Sequence, residues 1–245
     1  MSALGIVGAE KAYAEAQRTV PLQFYGGFAS GIRPDQSSPS VPAGSVVWSG
    51  GTDRRRVALT FDDGPMPDWT PRVLATLARH NVPATFFLKG VNVLRHGPIH
   101  AASVGTHELG NHGWDHPDFA RLDYHQCTDQ IARTSSIMER VYGTRPTAFR
   151  PPYGHLAGST LLAAAEQRLT TVLWSAQMNE SQFRDRPADI VASVRRRAQP
   201  GSIILCHDTG PFDRLVTIDN LDAIITGLKA DGFAFTTVSE LCGLA

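Results

Sequence analysis

The stretch VALTFDDGPMPDWTPRVLATLARHNVPATFFL, residues 57–88, contains a whole strand, helix, strand unit. Val57 to Phe61 is a short apolar run, apolar residues recur at helical spacing after Thr70, and Ala84 to Leu88 is apolar again. Asp68 or Thr70 just ahead of Pro71 supplies a helix start, and Asn81 closes the helix. The same alternation continues through HELGN, YHQCTDQIARTSSIMERVYG, AFRPPY, STLLAAAEQR, TTVLWS, ADIVASVRRRA, SIILCHD, LVTIDNLDAIITGLKAD and FAFTTV, about seven times in all. Such a chain predicts the α/β class, with a mainly parallel sheet covered by helices, as an open doubly wound sheet or a β/α barrel. No glycine-rich phosphate loop follows a strand, so the expectation moves to the barrel.

Asp62 and Asp63 end the first strand, His112 and His116 follow the third, Arg150 and Tyr153 the fourth, and His207 and Asp208 the sixth. All lie at carboxyl ends of strands, the rim where a β/α barrel assembles its chemistry. Residues 1–50, rich in Gly, Pro and Ser toward their end, read as an N-terminal extension, and 51–245 as the barrel domain.

With 245 residues, 42% hydrophobic and 19% charged, the chain can bury a full core, and its zero formal net charge gives no drive toward nucleic acid or anionic membrane. Cys127, Cys206 and Cys242 are odd in number and without a C-x-x-C pair, so they read as buried, inert thiols. The first residues lack a basic leader pattern and no apolar run reaches membrane-span length, which sets the expectation of a cytoplasmic protein; oligomeric state is not legible.

His112 and His116, four residues apart, fall on one side of a turn-like coil, and Pro117 keeps His116 out of a regular helix. Two histidines plus a carboxylate from a neighbouring strand end make a three-ligand site with positions left open, the arrangement of a catalytic ion. Zinc suits such N/O ligands best, with Co, Ni, Mn and Fe accepted. One aspartate of the 62–63 pair then ligates while the other takes a proton from attacking water, and Gly64 and Pro65 turn the chain directly after them. An amide nitrogen also needs a separate acid to leave, a role open to His207; Asp208 is either a turn former or an orienting partner. Arg150 can hold the base carboxylate, and the Tyr153 backbone N–H can meet an oxyanion.

These motifs together resemble the NodB-homology polysaccharide deacetylases, carbohydrate esterase family 4, from about Val57 to Val238: TFDDGP, HGWDH, RPPYG and LCHD match four of its motifs. The resemblance implies a distorted (β/α) barrel of about seven parallel strands and hydrolysis of N-acetyl groups on amino sugars. It implies Asp62 as base, Asp63, His112 and His116 as metal ligands, Arg150 steering Asp62, Tyr153 at the oxyanion and His207 as acid. Trp174 and Leu205, with Pro151, would line the acetyl pocket.

Two positions depart from the family. Gly113 stands where a Ser or Thr hydroxyl ties the metal loop down in the family, and Gln177 stands where an aspartate faces the acid histidine, with Glu180 nearby as a substitute. A neutral partner would favour a leaving group less basic than a sugar amine. The expected function is a metal-dependent deacetylase of linear amides, acting on an N-acyl, most simply acetyl, amino sugar or small biosynthetic intermediate inside the cell. The alternatives are an O-acetyl esterase of the same family, a mononuclear iron oxygenase built on the same ligand set, and a barrel that binds glycan without turnover.

Overall fold

The computed structural model describes residues 45–244 except Asp53 and Val104. Most of the expected extension, residues 1–44, lies outside the described residues. Near the end of the 1–50 stretch, Val46–Val47 forms strand β1 and joins the sheet beside β6 (Thr170–Val172).

The remaining strands among the described residues are β2 (Arg56–Asp62), β3 (Thr85–Leu88), β4 (Glu108–Asn111), β5 (Ala148–Phe149), β7 (Ala176–Gln177), β8 (Ile203–His207) and β9 (Ala234–Phe235). Every ladder is parallel, in the order β1-β6-β5-β4-β3-β2-β8-β7, with β9 also on β2. This is the curled parallel sheet of a distorted β/α barrel. The strands exceed the expected seven because β1 and β7, two residues each, carry no periodicity long enough to read.

The helices are α1 (Thr70–His80), α2 (Gly90–His96), α3 (Tyr124–Tyr142), α4 (Gly158–Glu166), α5 (Asp189–Arg197), α6 (Leu215–Ala230) and α7 (Val238–Cys242). In α1 the buried Val73, Thr76 and Leu77 form the inner stripe, Pro71 sits in the first turn, and Asn81 closes the helix in the left-handed conformation at φ 51°. Asp68 does not cap it. The Thr70 hydroxyl instead accepts the Met66 N–H at 2.8 Å and donates to Asp208 Oδ2 at 2.5 Å. Asp123 and Gln126 form a capping box at the start of α3, and Gly143 ends it at φ 68°.

Strand β2 shows how the sequence prepares the site. Val57, Leu59 and Phe61 pack in the larger core between sheet and helices, whereas Ala58 belongs to the inner cluster with Phe87, Ala148, Val172 and Ile203. A period of two puts Thr60 and Asp62 on the Ala58 side. Ala58 and Thr60 are small, and the space they leave is filled by the Arg150 guanidinium, 4.1 Å from the Phe87 ring centre. The three cysteines are buried free thiols. No helix among the described residues is long and apolar enough to cross a membrane.

Candidate active site

The parallel register sets the strand ends level with one another. Asp62 of β2 pairs with His207 of β8, Leu88 of β3 with Asn111 of β4, and Asn111 with Phe149 of β5, so residues 62–63, 112–116, 150–153 and 207–208 reach one end of the sheet together.

Adjacent strand residues face opposite ways, yet both aspartates reach His112. Asp62 Oδ2 and Asp63 Oδ1 each lie 3.7 Å from His112 Nε2. The backbone makes this possible: the strand stops at Asp62, and Asp63 adopts φ 77°, which swings its carboxylate back to the inner side. A non-glycine residue there costs about 1–3 kcal/mol, which the surrounding structure must supply.

Asp63, His112 and His116 each offer a ligand atom within 4.8 Å of the others. His116 Nε2 is 3.2 Å from Asp63 Oδ1, and that oxygen is buried without a hydrogen-bond partner. His112 Nδ1 lies 2.7 Å from the Arg150 carbonyl, which can only accept, so the proton sits on Nδ1 and the Nε2 lone pair faces the cluster. An orphaned carboxylate oxygen and two aimed imidazole nitrogens fit a divalent ion. Burial lowers both histidines, His116 to about 4, despite the attraction of Asp63. Burial alone would raise the Asp63 carboxyl, but at the low pH where it would take a proton His112 is protonated, and that charge with Lys89, 3.8 Å from Oδ1, outweighs burial and holds the group below the usual carboxylate range.

Neutral imidazoles are ready to donate without losing a proton. Affinity for a divalent metal ion is therefore expected to stay level from about pH 8 to about pH 6 and to fall only as the pH approaches 4, where protons capture His116. Calorimetric titration of the metal-free protein checks this, and a loss centred on the ordinary histidine range would contradict it.

Arg150 is fully buried. Its Nη1 donates to Asp62 Oδ1 at 2.7 Å and Thr60 Oγ1 at 2.8 Å, Nη2 to the Leu173 carbonyl at 3.1 Å and Nε to the Val172 carbonyl at 3.2 Å. One oxygen of Asp62 is thus fixed and the other faces His112. Tyr153, at φ 62°, is exposed, and its ring lies edge-to-face with that of His116, their centres 4.5 Å apart. Gly154 follows at φ 71° and presses so closely on Trp174 that a Cβ would lie 2.8 Å from its ring. Pro151 is itself buried.

His207 ends β8 beside a cavity of about 280 Å³ whose walls include Leu205, Gln177, Glu180, Pro211 and Arg214. Of the three residues expected around the acetyl group, Leu205 lines this space and Trp174 and Pro151 do not. The expected neutral partner of His207 is corrected here. Gln177 is exposed, while Glu180 Oε1 stands 3.9 Å from the buried, unpartnered His207 Nδ1. That separation is too long for a hydrogen bond. Burial would raise Glu180, but the attraction of His207 outweighs it and the carboxyl is lowered; Thr217 Oγ1 donates to it at 3.1 Å. His207 keeps a carboxylate neighbour, three residues later in the chain than Gln177.

The missing hydroxyl at Gly113 also has a structural answer. Gly113 sits at φ 73°, and a Cβ there would lie 2.9 Å from Phe119. The loop is held by other groups: Asn111 Oδ1 accepts the Gly113 N–H at 2.8 Å, and Gln130 Oε1 accepts that of Trp114 at 2.7 Å. Asp208 is neither an exposed turn former nor a partner of His207. It is fully buried, holds Thr70, and is pushed up to about 7 by burial and then by the Asp63 charge, against the Thr70 hydrogen bond.

Comparison with known proteins agrees with this geometry. The polysaccharide deacetylase family model matches residues 49–172. A peptidoglycan-N-acetylglucosamine deacetylase of Bacillus cereus is 38% identical over 200 residues, covering 80% of this chain and 72% of that protein. The peptidoglycan-N-acetylmuramic acid deacetylase PdaC of Bacillus subtilis is 34% identical across 77% of this chain, which spans only 39% of PdaC. Among solved structures, a peptidoglycan N-acetylglucosamine deacetylase in complex with 4-naphthalen-1-yl-N-oxidanyl-benzamide superposes with TM-score 0.76 at 37% identity, covering 82% of this chain and 94% of that one. A CE4 family pseudoenzyme from Bacillus anthracis gives TM-score 0.74 at 28% identity, covering 81% and 69%.

Proposed function

The chain belongs to the polysaccharide deacetylase family, and from that premise we propose that it is a zinc-dependent hydrolase removing acetyl groups from N-acetylated amino sugars of a wall-type glycan. The observation that carries the reading is two carboxylates of unlike surroundings on one histidine: Asp63 with an orphaned oxygen among ligand atoms, Asp62 clamped by Arg150. The names of the relatives favour a peptidoglycan-like polymer over the small soluble substrate that the sequence suggested. A parallel β/α sheet is also not the all-β scaffold expected of the iron oxygenase alternative.

Asp63, His112 and His116 would hold the ion, which when bound supplies Lewis-acid activation of water and charge stabilisation at the carbonyl oxygen. Asp62 is the base that takes a proton from the attacking water, oriented by Arg150 so that only one of its oxygens is free to do so. The Tyr153 N–H, turned by the left-handed backbone, donates to the developing oxyanion. His207, with Glu180 behind Nδ1, gives its proton to the departing nitrogen, so that the amide and water become acetate and a free amine.

The test is acetate release. Protein loaded with Zn2+ is expected to liberate equal amounts of acetate and free amine from N-acetylglucosamine oligomers or peptidoglycan. A chelator should abolish the release and added Zn2+ restore it. Absence of acetate from every N-acetylated glycan offered would refute the reading and favour binding without turnover.

A further inference from the structure

One cation at the site has no part in the roles above. Arg214 closes the short 3-10 turn Phe212–Arg214 that leads into α6. Its Nη1 donates to Asp63 Oδ2 at 2.6 Å and to the Thr209 carbonyl at 2.7 Å. Gly210 makes room for it: at φ 121°, a Cβ on that residue would lie 2.6 Å from Arg214 Nη1. The guanidinium therefore joins a metal-ligand candidate to the loop that follows the acid histidine.

The two oxygens of Asp63 are consequently unlike. Oδ2 is occupied by Arg214, while Oδ1 is buried without a hydrogen bond and faces His112 and His116. A free carboxylate can grip a divalent ion with one oxygen or with both. Gripping with both would put the ion and the Arg214 guanidinium on the same oxygen, two cations competing for its charge, and it would fill a position that a catalytic site keeps open. If Oδ2 were released, Lys89, 3.8 Å from Oδ1, would be free to draw the carboxylate away from the histidines.

We propose that Arg214 is a positioning residue that restricts Asp63 to single-oxygen coordination through Oδ1, keeping the ion's remaining positions for water and substrate. This rests on the deacetylase reading. Groups that hold a metal ligand in place typically change affinity or activity by about 10–100-fold when removed.

The parent, Arg214→Met, Arg214→Lys and Arg184→Ala are compared after Zn2+ loading, by crystallography of the site and by kinetics on N-acetylglucosamine oligomers. Arg184 pairs with Asp213 at 3.1 Å and so anchors the same loop without touching Asp63. The parent is expected to show one Asp63 oxygen on the ion. Arg214→Met should show both, or a carboxylate swung away, with kcat lowered about tenfold and KM unchanged. Arg214→Lys should recover part of kcat, and Arg184→Ala should match the parent in both readouts. Single-oxygen coordination in Arg214→Met, or a kcat within about twofold of the parent, overturns the inference, as does Arg184→Ala reproducing the loss. If Arg214→Met does not fold, Arg214→Gln takes its place, and single-oxygen coordination with a parental kcat in that variant overturns the inference. A parent that takes up Zn2+ but releases no acetate sinks the deacetylase reading, while the coordination comparison still judges Arg214.

Discussion

Asp62→Asn is expected to keep its divalent ion and lose turnover, whereas Asp63→Asn and His112→Ala are expected to lose both. The difference follows from the two carboxylates' surroundings rather than from their chemistry. Asp63 offers a buried, unsatisfied oxygen to two neutral imidazoles, so removing it or His112 removes one of three ligands from a site that has no spare. Asp62 is held by Arg150 and approaches His112 only to 3.7 Å, and an asparagine there still accepts the Arg150 hydrogen bond through its carbonyl oxygen. What it cannot do is take a proton. Loss of a general base typically costs about 10²–10⁴ in kcat. Elemental analysis beside single-turnover acetate release separates the cases. An Asp62→Asn protein with parental kcat, or one that loses its ion as His112→Ala does, would reverse the assignment of base and ligand.

The clustering of these residues was legible because they crowd into short segments at strand ends, each with a turn residue beside it. Gly64 and Pro65 announced that the chain turns after the aspartates; the φ of 77° at Asp63, which lets both carboxylates serve one site, is a backbone fact that no residue pattern displays. Glu180 illustrates a different limit. Its approach to His207 depends on where the 3-10 turn Glu180–Phe183 comes to rest, while Gln177, at the expected position, is exposed. Arg214 was invisible for a further reason: it sits in an amphipathic stretch where an arginine reads as a solvated side chain, and its partner Asp63 lies 151 residues away. Asp208 resisted reading because a carboxylate after a strand is usually a turn, while here Gly64 packs so closely that a Cβ would lie 2.5 Å from the Asp208 oxygens. In each case the missing knowledge is a long-range contact, whereas the strand and helix order depended on local period alone.

Arg150→Met is expected to destabilise the fold as well as silence the enzyme, and the two effects can be pulled apart. The guanidinium is inaccessible to solvent and makes four hydrogen bonds, so methionine leaves the Asp62 carboxylate, only 3% exposed, without its counterion and two carbonyls without a donor. Removing one member of a buried ion pair costs about 3–5 kcal/mol, because the surviving charge stays out of water. For a domain with a total stability of about 5–15 kcal/mol that is a large fraction, visible as a lower denaturant midpoint with unchanged slope. Arg150→Lys should recover little, since one ammonium cannot reproduce a planar group that reaches Asp62, Thr60, Leu173 and Val172 at once and also lies on Phe87. The double variant Asp62→Leu/Arg150→Met removes both charges, and replacing a buried pair by apolar groups of similar size is often neutral or stabilising. Its midpoint should return most of the way to the parent's while acetate release stays absent, which would show that the pair is retained for catalysis and not for stability. A single Arg150→Met variant that loses less than about 1 kcal/mol would mean that the Asp62 charge is relieved by water or by protonation, and the argument that Arg150 holds a dry, oriented base would fail.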